Sequence, residues 1–153
     1  MASVGRDDLN ILTTGAGGFI GQALTSALLS DPRVSHITMT DVIEPTLPSH
    51  IPKSEVQIRC VKADLTSPGV CGSLFTPDLT LIYLLHGVMS GAAEADLELG
   101  LKVNIDSTRQ ILDLTRKVNP GVKVIYPSSL AVYGRPKRKD SYITELNAPL
   151  PDL

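Results

Sequence analysis

Short apolar runs alternate along the chain with longer segments in which apolar residues recur at helical spacing. Runs of this length bounded by turn residues predict buried strands, and the segments between them predict helices. Strand and helix alternation is typical of βαβ units in a mostly parallel sheet. We therefore predict an α/β fold, a doubly wound parallel sheet of about five strands. The predicted strands are residues 9–14, 37–40, 56–61, 81–85 and 122–126.

Two segments have a clear helical period. The first predicted helix covers about residues 18–29, and its predicted inward-facing residues are Ile20, Leu24, Ala27 and Leu28. A long amphipathic helix is predicted over residues 92–117. Its apolar side chains follow spacings of three and four residues, at Leu97, Leu101, Ile105, Thr108 and Leu112. Residues 44–52 and 135–153 have little period, so we expect an irregular connection and an irregular C-terminal tail.

Composition narrows the range of partners. The 153 residues, 42% of them apolar, are enough for one domain with a core. A net charge of −2 gives no field that would attract nucleic acid or an anionic membrane, so we expect a small-molecule partner. Two cysteines without paired spacing favour neither a disulfide framework nor a zinc site, and we expect no metal. The chain start lacks a signal core and the longest apolar stretch is too short to span a bilayer, which indicates a cytoplasmic protein.

A glycine-rich turn joins the first predicted strand to the first predicted helix. Its pattern, T-G-x-x-G-x-x-G, begins at Thr14 and ends at Gly21. A dinucleotide pyrophosphate binds to backbone N–H groups at a helix N-terminus where no side chain intervenes. The turn therefore predicts a Rossmann-type dinucleotide site. Its predicted cofactor-binding residues are Gly15, Gly17, Gly18, Phe19, Ile20 and Gly21.

Acidic residues follow the next two strands. Asp41 comes twenty residues after Gly21, where a carboxylate can accept hydrogen bonds from both adenosine ribose hydroxyls and repel a 2′-phosphate. We therefore expect NAD as the cofactor, not NADP; the alternative is a carboxylate that only caps a turn. Asp64 is placed to meet the adenine edge, although an acid that begins a turn before a Ser-Pro-Gly sequence is also a common structural device. Both interpretations of Asp64 stay open.

Ser129 follows the fifth strand, at the carboxyl edge where open α/β sheets bind ligands. It belongs to the segment Ser-Ser-Leu-Ala-Val-Tyr-Gly at residues 128–134, and the chain also contains Ala63-Asp64-Leu65 and Val103-Asn104. Together with the glycine turn and Asp41, these residues resemble the extended short-chain dehydrogenases/reductases, the NAD-dependent epimerase/dehydratase family, over about residues 9–134. Within it, residues 41–45 and 88–91 are most similar to those of the D-erythronate dehydrogenases.

The resemblance implies roles for individual residues. It implies an NAD-binding domain over residues 1–134, with Ser129 as the catalytic serine and Asn104 fixing backbone and water in a proton path. Asn104 could equally bond a neighbouring strand. Ser90 and Ser129 are implied to contact substrate, although Ser90 is more simply a loop hydroxyl. The further cofactor-binding residues implied are Asp64, Leu65, Leu85, His86 and Gly87.

The chain departs from the family at two places. Members abstract the hydroxyl proton with the tyrosine of a helical Tyr-x-x-x-Lys pair. Tyr133 and Lys137 have that spacing, but the glycine and proline between them disfavour a helix, and we expect the pair at or just beyond Leu153. At the end of strand four the family has a histidine two residues earlier than His86, and small alanines at the last two positions. His86 either crowds the nicotinamide ribose or is a partly buried histidine bonded to backbone.

These departures leave the reaction open. The first hypothesis is hydride transfer between NAD and a secondary alcohol of a small polyhydroxy acid, an aldonate, by a chain that is incomplete as a stand-alone enzyme. One alternative is a nucleotide-sugar epimerase or dehydratase, and another is a catalytically inactive cofactor-binding or interaction protein. We also expect the outer face of the predicted helix at residues 92–117 to be an uncovered apolar patch through which a homo-oligomer can form.

Overall fold

The computed structural model describes residues 8–48, 55–134, 142–144 and 146. Within them, five strands form one sheet in the order β3-β2-β1-β4-β5, and every neighbouring pair is parallel. The strands are β1 (Leu9–Thr14), β2 (Val34–Asp41), β3 (Gln57–Lys62), β4 (Leu81–Leu84) and β5 (Lys123–Ile125). The predicted doubly wound parallel sheet is confirmed.

Helices connect these strands. They are α1 (Phe19–Leu28), α2 (Val70–Leu74), α3 (Ser90–Ala95), α4 (Leu97–Leu101) and α5 (Ser107–Val118). A π-helical turn (Lys102–Asp106) joins α4 to α5 without a break, and a short 3₁₀ helix (Leu130–Tyr133) follows β5. The sequence pattern did not predict α2. No helix in the described ranges is long and apolar enough to cross a membrane.

The strand order reverses direction at the centre of the sheet. The chain builds β1, β2 and β3 towards one edge, then crosses back and places β4 on the other side of β1. Thr14 and Leu84, the last residues of β1 and β4, lie in register beside each other. Open α/β sheets bind ligands in the crevice at such a switch point, outside the carboxyl ends of the strands.

Two apolar clusters anchor this arrangement, each extending from the sheet towards its helices. One joins sheet residues such as Leu12 and Ile82 to Leu74 of α2 and Ile111 of α5. The other joins Ile11, Ile37 and Met39 of the sheet to Leu28 at the end of α1. Alternate side chains of a strand point to opposite faces, so neighbouring residues Ile11 and Leu12 enter different clusters. The sheet is thereby buried on both faces at its centre.

The predicted inward face of α1 was partly wrong. Ile20 is 59% exposed and Ala27 is also exposed, whereas Gly21, Thr25 and Leu28 are buried. Residues four and seven positions apart share a helix face, so burial of Gly21 brings Thr25 and Leu28 inwards with it. Ile20 then points to the side of the helix that faces solvent.

The predicted long helix was also partly wrong, because it is interrupted. The carboxylate of Asp96 accepts a hydrogen bond from the Leu99 backbone N–H at 2.9 Å, so a new helix begins at Leu97. The predicted apolar patch is confirmed and faces outwards: Leu97 is 68% exposed and Leu112 is 47% exposed. We call the exposed residues the outer stripe; they are Leu97, Leu101, Ile105 and Leu112. The buried face carries Gly100, Ser107 and Ile111 instead.

Smaller differences concern element ends. β2 begins at Val34, before its predicted start, and β5 is shorter than predicted at both ends. Residues 44–48 form no helix or strand, as predicted for this part of the connection. Most of the predicted tail, residues 135–141, 145 and 147–153, lies outside the described part of the chain. That prediction therefore remains a prediction.

The core position of α5 gives a stability test. Ile111 is fully buried in the cluster that joins α5 to the sheet, whereas its neighbour Leu112 is 47% exposed. We expect Ile111→Ala to lower the free energy of unfolding by about 3 kcal/mol, because it removes buried methylene groups and leaves a cavity. Leu112→Ala, the matched control, should lower it by less than about 1 kcal/mol. Urea unfolding followed by circular dichroism measures both; equal losses would contradict the observed orientation of α5.

Candidate dinucleotide site

Gly15, the first residue after β1, has a backbone that other residues rarely adopt. Its φ is +65°, and a Cβ built on it would lie 2.6 Å from the Leu85 carbonyl carbon and 2.6 Å from the His86 backbone nitrogen. A side chain at Gly15 would therefore be strained and would also collide with the end of β4. Glycine allows the turn after β1 to press against the end of β4.

The rest of the turn leads directly into α1. A Cβ on Gly21 would lie 2.6 Å from both the Gly15 carbonyl oxygen and the Ala16 Cα, so glycine is needed for α1 to meet the turn. At Gly18 a Cβ would meet only the Gly15 carbonyl oxygen, at 3.3 Å, and the residue is exposed. No described side chain caps the N-terminus of α1 at Gly18, so its first N–H groups are available to an anion. Phe19, 92% exposed, lies beside this opening.

Asp41 links the turn to the end of β2. Its Oδ2 accepts a hydrogen bond from the Gly17 N–H at 3.0 Å, and its Oδ1 accepts one from the Val42 N–H at 2.8 Å. The Ala16 N–H also donates to the Thr40 carbonyl at 3.1 Å. The carboxylate thus caps a local turn, as one interpretation predicted, and it is at the same time held against the glycine turn. Each oxygen keeps acceptor capacity for a further donor.

One cleft is lined by five of the predicted cofactor residues. It runs between the ends of β1, β2 and β3 and reaches the π-helical turn. Its walls include the predicted residues Gly15, Asp41, Asp64, Leu65 and His86. The uncapped N-terminus of α1 lies beside this cleft, and Asp41 in the cleft is bonded to the Gly17 N–H of the same turn. Free N–H groups at a helix N-terminus and a carboxylate at the end of the next strand are the groups that hold the pyrophosphate and ribose of a dinucleotide. The residues present fit NAD.

Asp64 shows the structural device that the sequence left open. Its Oδ1 accepts hydrogen bonds from the Thr66 N–H at 2.9 Å and from the Thr66 hydroxyl at 2.7 Å. These bonds lower the pKa of the exposed Asp64 carboxyl, because they favour its charged form. Asp64 therefore begins a turn, and it does so while lining the cleft. The neighbouring Leu65 side chain is buried in the core.

His86, just beyond β4, is half-buried and bonded through both ring nitrogens. Nδ1 lies 2.7 Å from the Thr14 hydroxyl and Nε2 lies 2.9 Å from the Ser107 hydroxyl. Burial lowers its pKa, an effect that the charge of Asp41 partly offsets. The expected partly buried histidine is present, but its partners are side-chain hydroxyls and not backbone groups. The sequence prediction did not include Ser107. It is a buried serine at the start of α5, and its hydroxyl contacts the His86 ring just beyond β4.

Asn104 holds the segment that follows His86. Its Oδ1 accepts a hydrogen bond from the Val88 N–H at 2.8 Å, and its Nδ2 donates to the Val88 carbonyl at 3.0 Å. A Cβ on Gly87 would lie 3.3 Å from the same Oδ1, so a small residue suits that position. Leu85 is tied to β1 through its N–H, which donates to the Thr14 carbonyl at 3.2 Å. Asn104 therefore bonds the backbone beyond a neighbouring strand, as one interpretation predicted.

Ser129 and Ser90 are not brought into this cleft by any described contact. Ser129 is exposed at the carboxyl edge, and its hydroxyl oxygen accepts a hydrogen bond from the Ala131 N–H at 3.1 Å. Ser90 is the first residue of α3, and its side chain lies outside the described part. Across residues 8–48, 55–134, 142–144 and 146, no group of His, Cys, Asp and Glu side chains could hold a metal.

Comparison with known proteins identifies relatives that match most of the chain. A model of the NAD dependent epimerase/dehydratase family matches residues 11–151. D-erythronate dehydrogenase of Haemophilus influenzae is 35% identical over 128 residues, which are 82% of this chain and 39% of that enzyme. The chain thus spans about two fifths of the length of this curated relative.

Solved structures agree with this likeness. A nucleoside-diphosphate-sugar epimerase from Agrobacterium tumefaciens superposes with a TM-score of 0.74 and 32% identity, over 84% of this chain and 40% of that one. A short-chain dehydrogenase/reductase superfamily protein from the same organism, solved with bound NAD, superposes with a TM-score of 0.68 and 26% identity. That match covers 94% of this chain and 39% of the other.

The Asn104 bonds can be tested at the Val88 amide. We expect Asn104→Leu to remove both bonds, lower the free energy of unfolding by about 2 kcal/mol and speed hydrogen exchange of the Val88 N–H. Asn104→Asp keeps the acceptor and should keep the Val88 N–H protected. NMR-detected exchange distinguishes the two variants. Equal protection of the Val88 N–H in Asn104→Leu and the wild type would show that this bond does not form.

Proposed function

The chain belongs to the NAD dependent epimerase/dehydratase family, and on this premise we propose that it is the cofactor-holding part of an NAD-dependent oxidoreductase. Its proposed substrate is a secondary alcohol of a small polyhydroxy acid, an aldonate. The observation that carries the proposal is the carboxylate of Asp41, held by the Gly17 N–H in the same cleft as the Gly15 turn. We propose residues 1–134 as the NAD-binding domain and 135–153 as an irregular tail.

The chain's own residues bind and orient the cofactor. The free N–H groups at the start of α1 hold the pyrophosphate, since Gly18 leaves that surface open. Asp41 accepts hydrogen bonds from the adenosine ribose hydroxyls, and its charge excludes a 2′-phosphate. Bound NAD supplies a hydride acceptor or donor at the nicotinamide C4. Phe19 and Ile20 are exposed beside the turn and supply apolar contact to the cofactor.

The substrate side lies at the same edge of the sheet. The Ser129 oxygen already accepts the Ala131 N–H, so its hydroxyl proton is directed to an acceptor such as a substrate oxygen. Ser129 is therefore proposed to orient the reacting alcohol or carbonyl oxygen, with Ser90 as a substrate contact. Asn104 fixes the Val88 backbone beneath that region. Similarity to D-erythronate dehydrogenase supports an aldonate as the substrate class.

A second candidate is a nucleotide-sugar epimerase or dehydratase, because the chain is also similar to a nucleoside-diphosphate-sugar epimerase. A third is a catalytically inactive cofactor-binding or interaction protein. Calorimetric titration with NAD, combined with assays on aldonates and on nucleotide sugars, distinguishes the three. We expect the 153-residue chain to bind NAD; NADH formation from an aldonate supports the dehydrogenase, and binding without turnover supports the third candidate.

Removal of the Asp41 carboxylate tests the cofactor. We expect Asp41→Ala to weaken NAD binding by more than about tenfold, because it removes two charge-assisted hydrogen bonds of roughly 1.5 kcal/mol each. Asp31→Ala is the matched control, since Asp31 pairs with Arg33 at 2.7 Å beyond α1 and lies outside the cleft. It should leave NAD affinity unchanged. Titration calorimetry measures both variants, and an Asp41→Ala protein with wild-type affinity would remove Asp41 from the site.

The outer stripe is the proposed surface for a homo-oligomer. It borders an apolar groove that Tyr126 of the β5 end also lines. Arg109 and Asp113 flank the groove at positions i and i+4 of α5. A two-fold interface brings the same surface of both copies together, so an antiparallel pair of α5 helices can place each arginine near the other copy's aspartate. Asp113 also pairs with Arg116 of the same helix at 3.5 Å, so the proposed contact adds a second arginine to an exposed carboxylate.

A charge placed in the outer stripe tests this interface. We expect the wild-type chain to be a dimer and Ile105→Lys to be a monomer, because a lysine in an apolar interface must be desolvated. Ile43→Lys is the control, since Ile43 is also an exposed isoleucine but lies beyond β2. Light scattering after size-exclusion chromatography gives the masses. A monomeric wild type, or a dimeric Ile105→Lys variant, would rule out association through this stripe.

A further inference from the structure

We propose that His86 is a positioning residue for NAD, acting through a hydrogen-bonded chain of Thr14, His86 and Ser107 that fixes the phosphate-binding turn against the helical segment Leu97–Val118. We call these three residues the His86 chain. The proposal rests on the proposed function, because it concerns how the chain holds NAD. It assigns an indirect role to His86, in place of direct crowding of the nicotinamide ribose.

The His86 chain begins at the turn itself. Thr14 is the last residue of β1 and is directly bonded to Gly15, whose backbone opens the turn. The Thr14 side chain is fully buried, and its hydroxyl lies 2.7 Å from His86 Nδ1 and 3.3 Å from the Tyr83 carbonyl. The His86 backbone is also the group that a Cβ on Gly15 would strike. His86 therefore contacts the start of the turn through both its main chain and its ring.

The His86 chain ends at the π-helical turn. The Ser107 N–H donates to the Lys102 carbonyl, five residues earlier, and the Ser107 hydroxyl donates to the Val103 carbonyl at 2.6 Å. The hydroxyl proton is thus committed, so the Ser107 oxygen accepts from His86 Nε2–H at 2.9 Å. Nδ1 is then the acceptor of the ring. The single proton of the Thr14 hydroxyl has two acceptors within reach, Nδ1 at 2.7 Å and the Tyr83 carbonyl at 3.3 Å, and we assign it to the nearer Nδ1.

With this assignment, the hydrogen bonds of the His86 chain all point the same way, each residue donating to the next. Thr14 donates to His86, His86 donates to Ser107, and Ser107 donates to the Val103 carbonyl. Each buried polar atom on this route has a partner, which is the condition under which a buried network makes a structure rigid. These partners assign the ring to the neutral form with the proton on Nε2, and burial, which lowers the pKa of His86 against a smaller opposing effect of the Asp41 charge, favours that form. With both nitrogens engaged, the ring has no free lone pair to act as a general base.

The position of the ring relates this network to the cofactor. His86, Val103 and Ser107 line the same cleft as Gly15 and Asp41. Just beyond the ring, Asn104 holds the Val88 backbone through two bonds. The turn and the segment after β4 are therefore both tied to the same helical segment. A site fixed before its ligand arrives loses less conformational freedom on binding, so the network favours NAD affinity.

Substitutions at His86 can separate its two bonds. Asn places an amide oxygen the same number of bonds from Cα as Nδ1, so His86→Asn retains an acceptor for Thr14. We expect His86→Ala to weaken NAD binding about tenfold and His86→Asn to remain within about threefold of the wild type. Ser107→Ala should weaken it about threefold, and the double variant His86→Ala/Ser107→Ala no more than His86→Ala alone, because one network is lost in both.

A control variant and an NMR spectrum distinguish failure of the His86 role from failure of NAD binding itself. His36→Ala, an exposed histidine on β2, is the matched control and should bind NAD normally. A two-bond ¹H–¹⁵N spectrum of the NAD-free chain should show His86 as the neutral Nε2–H tautomer. If the wild type fails to bind NAD, the proposed function fails. If it binds NAD and folded His86→Ala binds equally well, or the spectrum shows the Nδ1–H tautomer, the positioning role of His86 is wrong while NAD binding stands.

Discussion

The close approach of the Gly15 turn to the end of β4 is the constraint on which the rest of the site depends. The position of a Cβ on Gly15 is only 2.6 Å from backbone atoms of Leu85 and His86. Because the two chain segments touch there, Thr14 is brought to the His86 ring on one side, and the turn's N–H groups reach Thr40 and Asp41 on the other. Gly15 therefore allows the carboxyl ends of β1, β2 and β4 to meet at one turn, and the cleft lies at this meeting point.

The sequence predicted the elements that local patterns determine. Strand runs, the glycine turn and Asp41 at the end of β2 are each readable within a few residues, and the parallel sheet places them together. The prediction for the inward face of α1 was partly wrong because it followed the apolar side chains and not the residue at which the helix must pack most closely. A Cβ on Gly21 would lie 2.6 Å from the Ala16 Cα, so α1 packs closely on the turn at this residue. This contact sets the rotation of the whole helix. Thr25 is buried by that rotation, although it is polar, and its hydroxyl is satisfied by the Gly21 carbonyl at 2.8 Å.

The helical segment from Leu97 to Val118 shows a different limit of sequence reasoning. Its apolar stripe was identified correctly, but a stripe does not say which side of a helix meets the sheet. The side that meets it carries small and polar residues, Gly100, Asn104 and Ser107, besides Ile111. A built Cβ on Gly100 would lie 2.9 Å from the Cβ of Ala93, so close packing selects glycine there. Contacts between separate elements, such as the packing of Gly100 on Ala93 and the bonds from Asn104 to Val88, could not be predicted from a local period.

The polar groups at the switch point are suited to holding a cofactor and not to moving a proton. Asp41 and the turn N–H groups are arranged to hold charge and hydroxyl groups, and Asn104 is fully engaged with Val88. His86 has a hydroxyl partner at each ring nitrogen, and burial lowers its pKa, so its ring is engaged within the protein. Ser129 can donate a hydrogen bond, but its neutral hydroxyl is a poor base, and it forms no alkoxide unless an adjacent base removes its proton. The groups assigned to the site within the described ranges are therefore suited to the binding and orienting roles proposed for them.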